Sequence, residues 1–78
     1  MPYTQDLIEE MNVLIRYNLA NGQEGLQVHK SADPAVIAAF ARLHGKGLLT
    51  DEDGGYLTDL GREAAEHVQS ALTMLAAN

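Results

Sequence analysis

Apolar residues in the first twenty positions recur at Leu7, Ile8, Met11, Leu14, Ile15 and Leu19, a spacing that lays them along one face of a helix. Thr4 stands where an N-cap belongs. Asp6, Glu9 and Glu10 fall in the opening turns, where the helix dipole favours anions. Asn21-Gly22 reads as the stop. The period then changes: Gly25-Leu26-Gln27-Val28-His29 alternates, with Leu26 and Val28 on one side, as a very short strand does. Helical spacing returns behind Asp33, a good N-cap, and Pro34, which suits a first helical position because the amide it lacks has no partner there. Val36, Ile37, Phe40, Ala41 and Leu43 form its inward face, and Gly45 or Gly47 ends it. Leu48-Leu49 and Tyr56-Leu57 flank a polar turn from Thr50 to Gly55, a hairpin pattern. Thr58 then caps a long last helix with Leu60, Ala64, Val68, Ala71, Leu72 and Leu75 along one face. The predicted fold is mainly α with a small β-hairpin, in the order helix, short strand, helix, hairpin, long helix. Residues 1–78 are read as one domain.

Composition adds a constraint of size. The chain is 46% apolar, which fits a globular protein, and without cysteine it can use neither a disulfide nor a thiolate metal site as a staple. Below about 70–80 residues a single core is marginal and oligomerisation is a common remedy, so a homodimer is a natural expectation. No secretory signal and no stretch near the ~18 apolar residues of a membrane span is visible, and the chain reads as soluble and cytoplasmic.

The net charge of −6 is unevenly spread. Asp6, Glu9, Glu10 and Glu24 against Arg16 leave residues 1–29 at −3. Lys30, Arg42 and Lys46 against Asp33 leave residues 30–50 at +2, and six acids against Arg62 leave residues 51–78 at −5. Phosphate-backbone binding scales with the phosphates that clustered cations neutralise, and this supply is thin.

Two stretches carry a resemblance. Lys46-Gly47-Leu48-Leu49-Thr50 resembles the end of a winged-helix recognition helix and the strand leaving it. Gly54-Gly55-Tyr56-Leu57-Thr58-Asp59-Leu60-Gly61-Arg62-Glu63-Ala64 is similar to the second wing strand and the helix that follows in regulators of the multiple-antibiotic-resistance type. The whole chain also resembles a small bacterial family of uncharacterised conserved proteins, which implies no activity. The winged-helix resemblance implies a DNA-contact surface built from Lys30, Arg42 and Lys46, with a terminal helix that builds a dimer. Two departures stand against the DNA part of it. Only about a dozen residues separate the first two helices, so a helix-turn-helix is truncated. The wing tip reads Asp51-Glu52-Asp53, which phosphates repel. Read from the residues alone, Gly61 lets the last helix pack closely on the hairpin, and Leu57 and Leu60 face inward.

Other chemistry finds little support. Glu63 and His67 are i, i+4 neighbours, a spacing that two metal ligands can share, but nothing in the spacing brings His29 or His44 to complete a site. Asp51-Glu52-Asp53-Gly54 fails the calcium-loop pattern, with Gly55 at the fifth position and Arg62 at the twelfth. Gly45-Lys46-Gly47 is no phosphate loop. Ser31 and Ser70 have no nucleophile context. No catalytic, metal or cofactor site is expected. The tail Ala71-Leu72-Thr73-Met74-Leu75-Ala76-Ala77 is more apolar than a solvated helix end requires, and Leu72, Met74 and Leu75 can pair with the first helix, within a chain or between chains. The expectation is therefore a small non-enzymatic protein-interaction or regulatory module. Its interface would use Asp51, Glu52 and Asp53 together with Leu72, Met74 and Leu75, and a basic partner would suit the acidic segment. The alternative is a weak or partner-assisted DNA-binding transcriptional regulator.

Overall fold

The computed structural model describes residues 3–77. Three helices and a three-stranded antiparallel sheet follow in the order α1 (Gln5–Leu14), β1 (Leu26–Gln27), α2 (Pro34–Gly45), β2 (Leu49–Asp51), β3 (Gly54–Leu57) and α3 (Asp59–Ala76). The helix starts are set by local chemistry. Thr4 accepts from the Leu7 amide, Asp33 from the Ala35 amide ahead of Pro34, and Thr58 from the Gly61 amide, at 2.9–3.1 Å.

The hairpin β2–β3 turns through Glu52-Asp53, a shorter turn than the sequence suggested, and β1 lies on the other side of β3, giving the order β1-β3-β2. Leu26 stands opposite Gly55 and Gln27 opposite Gly54. The strand expected over Gly25 to His29 is only two residues long, extended by the Val28 amide bonding to Asp53 O at 2.9 Å.

The core consists of Val13, Leu14, Tyr17, Ala39, Phe40, Leu43, Leu49 and Ala65. Val36, Leu48, Leu57, Ala64 and Val68 are half-buried against it. On α2 the inward face is as expected in direction, but Ile37 and Ala41 stay half-exposed at its edge.

Two expectations need correction. The first helix does not run to Leu19. It ends at Leu14, and Tyr17 folds into the core, where its hydroxyl donates to Gly55 O at 3.1 Å. Gln69 of α3 donates to the carbonyls of Leu14 and Tyr17, at 3.2 and 2.8 Å, and so satisfies the helix end from outside. Ile8 and Ile15, placed in the apolar stripe, are exposed, and Val13 is buried instead. On α3, Leu60 does not face inward but is 53% exposed, and the fully buried positions of that helix are Gly61 and Ala65.

Burial, with a smaller contribution from Asp51, pushes the Tyr17 phenol up from 10 to about 12. A phenol whose folded pKa is raised contributes stability that is intact below the unfolded value and is lost as pH rises through the folded one. Between pH 10 and 12 the native protein is expected to lose on the order of 1–2 kcal/mol through this residue, solvent screening included. Urea melts across that range should fall less steeply in Tyr17→Phe, which costs ~1 kcal/mol at neutral pH for the lost hydrogen bond. Equal slopes in the two proteins would assign the alkaline sensitivity elsewhere.

Candidate interaction surfaces

One charged side chain is buried among the described residues: Glu10, 5% exposed, on the face of α1 that meets α2. Arg42 and Lys46, one turn apart on α2, both reach it. The Arg42 Nε donates to Glu10 Oε2 at 2.8 Å and Lys46 Nζ pairs with Glu10 Oε1. Arg42 also donates to the Asp6 carbonyl at 3.2 Å, with the Asp6 carboxylate 3.8 Å away. Burial pushes the Glu10 carboxyl up, but the hydrogen bonds and charges of Lys46 and Arg42 outweigh it, and the net position is below the ordinary carboxylate value. The sequence places Glu10 with Asp6 and Glu9 in opening turns where the dipole favours anions. In the fold it anchors an ion cluster of Asp6, Glu10, Arg42 and Lys46 that joins α1 to α2. Its position three and four residues before Val13 and Leu14 is the signal that could have found it, since that spacing places it on the buried face.

The three cations of the DNA reading are thus not gathered on one surface. Arg42 and Lys46 lie over α1 in this cluster. Lys30 follows β1 and, with His29, Val28, Ile37 and Asp53, lines an open hollow of about 530 Å³; it makes no salt bridge among the described residues. The acidic tip stands beside the same hollow. Asp51, Glu52 and Asp53 are exposed, Asp53 accepts from the Gln27 side chain at 3.2 Å, and Glu52 and Asp53 border a floor of Val28, Ile37 and Ala41.

The more apolar feature lies between α1 and α3. Tyr3, Ile8, Met11, Asn12, Val68, Ala71, Leu72 and Leu75 line an open groove of about 410 Å³. Leu72 is 46% exposed and Leu75 82%, so α3 carries its apolar stripe well past the core. Met74 is 70% exposed and stands outside the groove. The residues proposed as one interface therefore belong to two surfaces: the acidic tip borders the α2 hollow, and Leu72 and Leu75 line the α1/α3 groove. Ile8 and Met11, part of the apolar stripe expected on the first helix, line this groove.

Glu63 and His67 are exposed on α3, and among the described residues no group of three or more His, Cys, Asp and Glu is placed to hold a metal. No described helix is long and apolar enough to cross a membrane.

Residues 1–76 match a family of unknown function (DUF5669). No curated protein and no solved structure matches the chain.

Proposed function

The chain belongs to this family of unknown function, and since membership brings no activity with it, we propose from its surfaces that it is a small, non-enzymatic, cytoplasmic protein-interaction module whose contact face is the α1/α3 groove. The observation that carries this reading is the exposure of Leu72 and Leu75 beside Ile8 and Met11, a continuous apolar strip with no charged side chain in its lining. Grooves of this kind accept an apolar helix face through anchors at helical spacing.

The alternative, a weak or partner-assisted DNA-binding regulator, draws on the winged-helix-like order of elements. A helix, a strand, a second helix and a β2–β3 hairpin packed before α3 suit that description. Against it stand the engagement of Arg42 and Lys46 with Glu10 and the acids at the hairpin tip. A duplex would have to compete with a buried carboxylate for two of the three cations, and only clustered cations give strong phosphate binding.

The test is chemical-shift mapping with two probes. A leucine-faced amphipathic helical peptide of about 15 residues is expected to move the methyls of Ile8, Met11, Leu72 and Leu75. Mixed-sequence duplex DNA is expected to move nothing at about 50 mM salt. DNA-induced shifts at Lys30, Arg42 and Lys46 that vanish near 200 mM salt, with a peptide that leaves the groove unmoved, would replace this reading by the alternative.

A further inference from the structure

Resting on the groove reading above, we infer that the groove's occupant is a second copy of this chain, and that two α3 helices pair antiparallel across a two-fold axis near Ala71 and Leu72. The first support is the continuity of one stripe. Gly61, Ala65, Val68, Leu72 and Leu75 follow each other at alternating intervals of four and three, the spacing of a helix–helix seam. The body of the protein covers the first part of that stripe: Gly61 and Ala65 are buried and Val68 is half-buried. From Ser70 to Ala77 every residue is exposed. Among the described residues the seam thus runs on past the part that the body covers, along the open side of the α1/α3 groove.

The second support is area. A folded monomer of 8.4 kDa is expected to expose ~4,600 Å². This chain exposes 5334 Å². The excess, on the order of 700 Å², is close to the ~800 Å² that each partner contributes to a stable interface. Tyr3, Ile8, Leu72, Met74 and Leu75 are among the large apolar side chains that make up the uncovered surface.

The third support is charge. Two chains of net charge −6 repel each other, and least where the faces that meet carry no charge. No residue from Val68 to Ala77 is charged. The same chain thus supplies both an uncharged groove and an uncharged apolar helix end of matching spacing. Antiparallel pairing follows from the dipole, since the last turn of α3 has no basic residue to offset its negative end. A parallel pair would set two such ends side by side, whereas the antiparallel pair separates them.

Sedimentation equilibrium from about 1 to 200 µM is the first measurement, and twice the 8.4 kDa monomer mass is expected in the upper part of that range. Leu72→Glu and Leu75→Glu each bring a carboxylate into the seam and should raise the dissociation constant at least about 30-fold. Both positions are exposed in the monomer, so helix content by circular dichroism should be unchanged. The absence of native cysteine gives a clean orientation test. Ala71→Cys lies beside the axis and should cross-link under mild oxidation. Ala76→Cys should not, because it is displaced from its symmetry mate by ~14 Å along the helix, beyond the ~7 Å reach of a disulfide. Cross-linking at Ala76→Cys equal to that at Ala71→Cys would overturn the antiparallel pairing. A wild-type protein that stays monomeric at about 200 µM overturns the second-copy occupant. If the leucine-faced peptide still moves the groove methyls in that case, the interaction reading stands with a different partner; if it does not, both fall.

Discussion

Gly61→Ala is expected to lower stability by about 3 kcal/mol, with a fall in Tm of roughly 12–24 °C for a domain of this size. Gly61 lies in the first turn of α3, directly over the backbone of Leu48. A Cβ there would fall inside the contact distance of the Leu48 carbonyl oxygen and come within 2.8 Å of its carbonyl carbon. The obstructing atoms are backbone, so they cannot swing aside as a side-chain tip can. Relief requires α3 to move off the segment leading into β2. Two hydrogen bonds hold that junction: the Thr58 amide to Leu48 O at 3.1 Å and the Thr58 hydroxyl to Gly47 O at 2.6 Å. Alanine also brings a gain, since it is the better helix former by about 1 kcal/mol, and the expected loss is what is left after that offset. Gly45→Ala provides the opposite case. Gly45 is the last residue of α2, and a Cβ there meets nothing within 4 Å. It should stabilise by about 0.5–1 kcal/mol. Thermal melts of the two variants should move in opposite directions, and a Gly61→Ala protein as stable as the wild type would show that the close approach does not constrain the fold.

That contrast marks which parts of the molecule could be read from residues alone. The caps at Thr4, Asp33 and Thr58 were legible because capping is settled within three or four residues of chain. The order of elements followed from the changes of period, and Gly61 stood out beside the Thr58 cap. The end of α1 was not legible, because contacts from far along the chain decide it: Tyr17 with Gly55 O, and Gln69 with the carbonyls of Leu14 and Tyr17. Periodicity in α3 identified the apolar face from Ala64 onward, but it misplaced Leu60 and did not tell how much of the face the body would cover. The basic residues of the candidate site were visible as residues, while their partner was not. Asp6, Glu9 and Glu10 look alike in a first turn or two, and only the phase of Glu10 with Val13 and Leu14 separates the buried one from its neighbours.

Replacing both partners of that buried carboxylate, Arg42→Met with Lys46→Met, is expected to cost about 3–5 kcal/mol at pH 7. The Glu10 side chain is 6% exposed and its two oxygens are held by Arg42 and Lys46, one each. Methionine keeps the apolar stems of the cations over α1 and removes only their charged ends, so the loss reports the stranded carboxylate rather than lost packing. Glu10→Gln makes the complementary change. It leaves no buried charge, while Arg42 and Lys46, with side chains 30% and 49% exposed, keep access to water. Its cost should be smaller, about 1–2 kcal/mol. The pH dependence separates the two cases by sign. In the wild type the Glu10 pKa is lowered, so its contribution is present above the ordinary value of 4.5 and is lost as pH falls through the folded value. In the double variant only burial is left to act, which raises the pKa above 4.5. Protonation then relieves the stranded charge, and the variant should regain stability as pH falls from 7 through the raised pKa toward 4.5. Urea melts at the two pH values should therefore bring the double variant closer to the wild type under the more acid condition. A gap that stays constant, or widens, would mean that Glu10 is not the group these cations stabilise. The same pair bears on function, because cations that hold α1 to α2 cannot be given to a phosphate backbone without weakening the fold that presents them.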